Sequence, residues 1–188
     1  MKKILPLLIL LLAGFTASAQ VLTFYRENIT MKIREQKFLV TGTYYFRYNL
    51  TDGKLLYYPF PTGNQYGCPD SVYVFDLINN TPIEPRNRDC SGFLFPVDFS
   101  KSSEATVQIS YMQPLKGNQA EYILETTRLW GKPFEKATYQ LIIPKDLNIS
   151  RFAIQPDDTI TTAQEKIYWW ERADYMPESN MIFEFVKE

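Results

Sequence analysis

The richest concentration of chemically versatile side chains in this 188-residue sequence is the segment IYWWERADYMPE, residues 167–178. Its aromatic rings could stack on a sugar or anchor a protein partner, and its arginine could stack on a neighbouring ring. Across the whole chain, Asp and Glu carboxylates could act as the acid–base pair of glycoside hydrolysis if two of them faced each other across a cleft. Which chemistry is available depends on the side chains that the folded element exposes.

Strand alternation divides this segment into two faces, because successive side chains of an extended strand point to opposite sides. One face would carry Ile167, Trp169 and Glu171, and the other Lys166, Tyr168, Trp170 and Arg172. The first face begins with apolar residues, so we expect Trp169 to pack in the core. The second is flanked by charged residues, so we predict a ligand or partner platform of Tyr168, Trp170 and Arg172, with Arg172 able to stack on the indole. The alternative is that a loop or chain end covers these rings as ordinary packing.

A helix is the competing interpretation of the same region. Thr162 and Glu165 match a capping box, in which the two side chains satisfy backbone groups at a helix start. On a helical wheel, however, Tyr168, Trp169 and Trp170 fall around the whole circumference and leave no single apolar stripe. We therefore predict a strand.

The absence of histidine removes the commonest catalytic and metal-binding arrangements. Neither a Ser–His nor a Cys–His nucleophile can form, and two distant cysteines cannot complete a closed zinc site. The sequence has no phosphate-binding loop, dinucleotide fingerprint or EF-hand, and no Lys/Arg cluster typical of a nucleic-acid interface. We therefore predict no catalytic residue, no cofactor, no metal and no nucleic-acid partner.

The two cysteines, Cys68 and Cys90, predict one structural disulfide. An isolated even pair in an exported protein usually forms a bridge in an oxidising compartment. A catalytic redox pair is the alternative, but such dithiols favour a close Cys-x-x-Cys spacing that these residues lack.

The N-terminal stretch MKKILPLLILLLAGFTASA, residues 1–19, has the layout of a secretory signal peptide with cleavage after Ala19. Its apolar run is shorter than the roughly 20 residues that a spanning helix needs, so we predict no transmembrane anchor. Cleavage would change the net charge from −1 to −3 by removing Lys2 and Lys3. We expect a bacterial protein located in the periplasm or outside the cell, with residues 20–188 forming a single domain.

Extended segments account for most of the remaining sequence. In ITMKIREQKFLVTGTYYFRY, apolar and polar residues alternate on both sides of REQK, which predicts an antiparallel hairpin with one buried face. Several further alternating or short apolar runs follow, separated by Pro- and Gly-containing turns. This pattern predicts an all-β fold, an antiparallel β-sandwich of roughly nine to eleven strands.

The C-terminal half resembles secreted bacterial β-sandwich domains of unknown function that are similar to immunoglobulin-type modules. The resemblance is carried by VQISYMQP, by EYILETTRLWGKPFEKATYQLIIP and by YMPESNMIFEF. It implies an immunoglobulin-like fold, and it implies no catalytic residues. Since one fold hosts many activities, the resemblance does not name a ligand.

These observations predict an exported, non-enzymatic binding or structural module of the bacterial envelope, whose partner is another envelope protein or a glycan. One alternative is a carboxylate-based enzyme acting on carbohydrate, which requires an acid pair in a cleft. A second alternative is a small outer-membrane β-barrel, which the tyrosine content and the alternation permit.

Overall fold

The computed structural model describes residues 22–187, so the predicted signal peptide lies outside the described residues. Within this range the chain forms thirteen β-strands and a short 3₁₀ helix, Glu125–Trp130. The strands are β1 (Leu22–Arg34), β2 (Lys37–Tyr48), β3 (Gly53–Pro59), β4 (Asp70–Asp76), β5 (Thr81–Ile83), β6 (Gly92–Asp98), β7 (Glu104–Pro114), β8 (Gln119–Tyr122), β9 (Phe134–Pro144), β10 (Leu147–Phe152), β11 (Asp158–Thr161), β12 (Glu165–Tyr175) and β13 (Met181–Lys187). The all-β prediction is confirmed. The count exceeds nine to eleven because the fold includes edge strands as short as β5 and β11, which carry little alternation.

The strands form two layers. The larger layer is a sheet with the order β11-β12-β9-β1-β2-β7-β4-β5, in which β1 and β9 pair in parallel and the other neighbours pair antiparallel. The second layer consists of two smaller sheets, β10-β13-β8 and β3-β6. Side chains join the layers: the ring of Phe38 lies 6.4 Å from that of Phe183, and the ring of Tyr111 lies 5.9 Å from that of Tyr58. The fold is a β-sandwich whose second layer is divided.

The β1–β2 hairpin follows directly from the residue pattern. Ile29, Met31 and Ile33 are buried along one side of β1. At the tip, Glu35 and Gln36 have positive φ angles of 51° and 56°, as a two-residue type I′ turn requires. The predicted hairpin is confirmed.

The predicted disulfide between Cys68 and Cys90 is present, with the two Cα atoms 4.6 Å apart. It joins the residue two positions before β4 to the residue two positions before β6, and so links the larger sheet to the β3–β6 sheet. Within residues 22–187, no helix combines the length and the apolar character needed to cross a bilayer.

Candidate functional site

A buried carboxylate, Glu27, lies on the inner face of β1 between the two layers. The residue is 1% exposed. A bulge in β1 sets its orientation, because the register against β2 shifts between Phe24 and Arg26. The extra residue allows Phe24 and Glu27, three positions apart, both to point inward.

Two tyrosines hold the Glu27 carboxylate from opposite layers. The hydroxyl of Tyr139, on β9, donates to Oε1 at 2.6 Å, and the hydroxyl of Tyr122, on β8, donates to Oε2 at 3.0 Å. A carboxylate oxygen has more than one lone pair, so each oxygen keeps the capacity to accept a further hydrogen bond.

A chain of hydroxyl groups leads from Glu27 into the β3–β6 sheet. The Tyr44 hydroxyl lies 3.2 Å from that of Tyr122 and 2.7 Å from that of Tyr58. Because the single proton of Tyr122 is donated to Glu27, Tyr44 donates to Tyr122, and Tyr58 in turn donates to Tyr44. Hydrogen bonds in such a series polarise one another and strengthen the interaction with the carboxylate at its end.

Gly42 makes room for this chain. A Cβ atom at Gly42 would lie 2.3 Å from the Tyr44 hydroxyl oxygen, so no larger residue fits while Tyr44 keeps its position. The predicted β2 strand is present, and Gly42 pairs in register with Ile29 and Ile109. The absence of a side chain at Gly42 therefore makes space for the Tyr44 ring.

The protonation of these groups follows from burial. Removal of the Glu27 carboxylate from water raises its pKa to about 7, while the hydrogen bonds from Tyr139 and Tyr122 act in the opposite direction. Burial, and then the nearby charge of Glu27, raises the pKa of Tyr122 well above its ordinary value, and the same two causes act on Tyr44 and Tyr139. The tyrosines therefore remain hydrogen-bond donors, and Glu27 is the group that titrates near neutrality.

Glu27 lies at the floor of a small cavity between the layers, here called the Glu27 cavity, with a volume of about 50 Å³. Its walls are mostly apolar and aromatic, and they include Phe24, Phe46, Leu56, Phe95 and Trp130. The mouth lies beside the 3₁₀ helix, where the lining residues Tyr57, Ile123, Thr126 and Trp130 are exposed or half-buried. An apolar cavity with a few convergent polar groups is the usual form of a small-ligand site.

The predicted assignment of faces on β12 is wrong. Trp170 is 1% exposed, and its indole Nε1 donates to the backbone oxygen of Ile154 at 3.0 Å. Trp169, expected in the core, is 39% exposed on the outer face of the larger sheet. Trp170 is therefore a core residue that does not present its ring to solvent.

The other two predicted platform residues also lie on the covered face. Tyr168 is half-buried and packs edge-on against Phe152, with the ring centroids 4.9 Å apart. The Arg172 guanidinium pairs with the Asp157 carboxylate and donates to the backbone oxygen of Glu171, so its partners are oxygen atoms and not the Trp170 indole. The structure brings Tyr168 and Trp170 together as part of the core wall, with Arg172 at its edge.

The charged residues that flank this face explain the wrong assignment. Lys166 reaches the covering segment, where its ammonium group donates to the backbone oxygen of Leu147 at 3.1 Å. Arg172 finds Asp157 in the same segment, near its other end. The segment 147–157 thus satisfies both charges while it buries the rings between them, as long side chains with charged ends allow.

The helix alternative is also excluded. Thr162 and Glu165 form the turn between β11 and β12, where the Glu165 backbone N–H donates to Thr162 Oγ1 at 3.0 Å. The spacing that resembles a capping box is therefore a side chain-to-backbone turn within a hairpin.

Trp169 stands at one side of a neutral polar surface on the outer face of the larger sheet. One row of register partners crosses the sheet from Trp169 on β12. It consists of Gln140 (β9), Thr30 (β1), Thr41 (β2) and Ser110 (β7). Asn28, Thr43, Gln108 and Thr138 line the same shallow hollow. This surface, here called the Trp169 face, offers one ring together with hydroxyl and amide groups.

No protein-family model matches the sequence, and no curated protein sequence matches it. A candidate nutrient-binding protein from Legionella pneumophila superposes with a TM-score of 0.67 at 11% identity, covering 88% of this chain and 67% of that protein. An M1 zinc metallopeptidase from Deinococcus radiodurans superposes with a TM-score of 0.53 at 8% identity, covering 87% of this chain and 42% of the peptidase. At these identities the likeness shows a shared fold. The chain spans less than half the length of the peptidase.

Proposed function

We propose that this chain is a non-enzymatic binding domain that accepts a small ligand, or the head group of a larger one, in the Glu27 cavity. The observation that supports it is the Glu27 carboxylate, which lies at the floor of an otherwise largely aromatic cavity and keeps free acceptor capacity. A buried group with a strongly shifted pKa in a concave site is more often functional than a surface charge is. Structural ion pairs also shift pKa values, but the Tyr122 and Tyr139 partners of Glu27 are neutral.

The make-up of the cavity favours binding over the carbohydrate enzyme considered from the sequence. Glu27 is the sole carboxylate among the described residues that line it, whereas glycoside hydrolysis commonly uses two. The hydroxyls of Tyr44 and Tyr58 have pKa values raised by burial, which suits them to donating hydrogen bonds and not to acting as bases.

The structural comparisons agree with this proposal in part. The Legionella protein, a candidate nutrient-binding protein, shares the fold and so suggests small-ligand binding. The peptidase activity of the Deinococcus protein does not carry over, because this chain has no histidine for a zinc motif of the H-E-x-x-H type.

We further propose export to the periplasm or the cell exterior. The Cys68–Cys90 disulfide supports it, because such bonds persist in oxidising compartments. The predicted signal peptide and the resemblance of the C-terminal half to secreted bacterial β-sandwich modules point to the same location.

A second candidate function is glycan binding on the Trp169 face. An exposed indole can stack on a sugar ring, and the adjoining hydroxyl and amide groups can hydrogen bond with sugar hydroxyls. An envelope protein is the other partner that this face could take. This proposal replaces the platform that the sequence placed on the opposite face of β12.

A thermal-shift screen of a metabolite library tests the cavity. Thr126→Trp should block the mouth, and Thr159→Trp on the exposed strand β11 is the matched control. Compounds that raise the Tm of wild type and Thr159→Trp, but not of Thr126→Trp, would support binding in the Glu27 cavity. A ligand at a hundred times its Kd stabilises by about 2.7 kcal/mol, which such a screen detects. Equal shifts in all three proteins would place the site elsewhere, and chemical conversion of a bound compound would contradict a non-enzymatic role.

The Trp169 face is tested on a glycan array. Trp169→Ala should abolish binding there, while Tyr73→Ala, another exposed aromatic on the same sheet, should preserve it. Retention of glycan binding by Trp169→Ala would reject this second function and leave the first untouched.

A further inference from the structure

We infer that the Glu27 cavity takes an organic ammonium ion, a protonated or methylated amine carried on an apolar body. The inference rests on the binding function proposed above and specifies the chemical class of the ligand. Three features carry it: an acidic group that lacks a cationic partner, aromatic walls, and a cavity volume that fits a head group.

The first feature is charge. No lysine or arginine occurs among the described residues that line the cavity. The nearest cation in sequence, Arg26, points to the outer face, where its guanidinium lies 4.7 Å from the centre of the Tyr45 ring. An ionised carboxylate buried without a counter-charge is costly, so a cationic ligand would supply what the protein does not.

The second feature is the aromatic side chains that form the cavity walls. Trp130 lies 5.8 Å from Phe24 and 5.9 Å from Phe46, centroid to centroid, and Tyr44 meets Tyr58 at 82°. Aromatic rings attract cations through their electron-rich faces, most strongly when water is excluded. A neutral or anionic head group would gain less from these walls.

The third feature is size. A water-sized group occupies about 10–15 Å³ of such a volume, so the cavity of about 50 Å³ admits roughly three to five non-hydrogen atoms. That matches an ammonium group with its attached carbons. The apolar body would extend past Trp130 and out through the mouth.

The groups that face Glu27 make this binding dependent on pH. They are tyrosines from surrounding strands, namely Tyr44 (β2), Tyr58 (β3), Tyr122 (β8), Tyr139 (β9) and Tyr175 (β12), with Tyr111 (β7) behind Tyr58. Burial raises the pKa of each, so all remain neutral across the physiological range. Since the pKa of Glu27 is about 7, affinity for an ammonium ion should fall about tenfold per pH unit below that value, because the competent fraction falls in proportion.

Calorimetric titration of residues 20–188, the chain without its predicted signal peptide, tests the inference. Four probes of similar shape are used: benzylamine, benzyltrimethylammonium, benzyl alcohol and benzoate. Each is measured at pH 8.0 and pH 5.5 with wild type, Glu27→Gln and the exposed-carboxylate control Glu84→Gln. Circular dichroism and Tm confirm that each variant is folded.

The inference expects at least one ammonium probe to bind at pH 8.0 at least tenfold more tightly than benzyl alcohol, and to weaken more than tenfold at pH 5.5. Glu27→Gln should remove both effects, and Glu84→Gln should keep them.

If Glu27→Gln does not fold, the inference is still tested by two measurements on wild type: the pH dependence of binding and the ratio of the ammonium affinity to the benzyl alcohol affinity. Equal binding of amine and alcohol, or a preference that is independent of pH, overturns the ammonium inference but leaves small-ligand binding standing. Tighter binding of benzoate, or no binding by any probe, also overturns it, and the library screen then judges the proposed function separately.

Discussion

The hydroxyl of Tyr139 donates a 2.6 Å hydrogen bond to the Glu27 carboxylate, across the parallel pairing of β9 with β1. Tyr139 is directly opposite Ile29, so its ring reaches along the inner face to the residue two positions earlier on β1. The two residues are 112 positions apart in sequence. The electrostatic state of Glu27 therefore depends on strands that only the complete fold brings together.

Glu27 should make the protein less stable as the pH rises. Its folded pKa of about 7 is above the ordinary carboxyl value, so the folded state holds the proton more tightly and the contribution favours folding at low pH. This contribution should be lost between about pH 4.5 and 7, with a total of about 3 kcal/mol.

Urea unfolding of wild type and Glu27→Gln at several pH values measures the contribution of Glu27 to the free energy of unfolding. Exposed acids such as Asp89 and Asp98, whose pKa values are lowered by local hydrogen bonds, should act in the opposite direction in both proteins and cancel in the difference. The stability of Glu27→Gln relative to wild type should therefore increase from pH 4 to pH 8. A difference that does not change with pH would contradict a raised pKa for Glu27.

Removal of the Tyr139 hydroxyl should raise the pKa of Glu27 further. The two tyrosine hydrogen bonds favour the ionised carboxylate, and that from Tyr139 has the larger effect. A ¹³C NMR titration of the glutamate carboxyl should show a larger increase for Tyr139→Phe than for Tyr122→Phe. Tyr57→Phe, whose hydroxyl donates to Ser91 at the surface, is the control and should leave the titration unchanged. A lower Glu27 pKa in Tyr139→Phe would reject the assigned hydrogen bond.

Gly42→Ala should destabilise the protein, because the added methyl group would overlap the Tyr44 hydroxyl. Overpacking of this kind typically costs about 1–3 kcal/mol. Gly53→Ala is the matched control, since a Cβ atom there meets its nearest neighbour, the Val97 backbone oxygen, at 3.7 Å. Urea unfolding should show a clear loss for Gly42→Ala and little change for Gly53→Ala. Equal effects would mean that Tyr44 can move aside freely.

The adjacent tryptophans of β12 should respond to truncation very differently. Trp170→Ala removes a buried ring in contact with Phe152 and Phe183, and should cost about 3–5 kcal/mol. Trp169→Ala removes a partly exposed ring and should cost less than about 1 kcal/mol. Thermal or urea unfolding distinguishes the two. A larger loss for Trp169→Ala would restore the face assignment that the sequence favours.

The fold class, the β1–β2 hairpin and the disulfide could all be predicted from the sequence, because each has a local or compositional signal. The faces of β12 could not, since Lys166 and Arg172 look like solvent-exposed neighbours until the segment 147–157 supplies their partners. The parallel pairing of β1 with β9 also has no local signal. Both depend on contacts between residues distant in the chain.

The burial of Glu27 does have a signal in the sequence, namely its position in the alternating pattern of β1. It is in phase with Ile29, Met31 and Ile33, three buried apolar residues of β1. A charged residue on the apolar side of an alternating strand predicts a buried carboxylate, and buried charges need partners. What alternation cannot supply is the identity of those partners, because Tyr122 and Tyr139 come from other strands.

The division of the second layer bears on how a ligand would enter. Residues of β3 and β8 both line the Glu27 cavity, yet these strands belong to separate sheets and share no backbone ladder. Hydroxyl contacts such as those of Tyr44 with Tyr58 and Tyr122 are what span the gap. Widening of the cavity around a ligand that enters through the mouth would therefore exchange side-chain hydrogen bonds and leave every strand pairing intact.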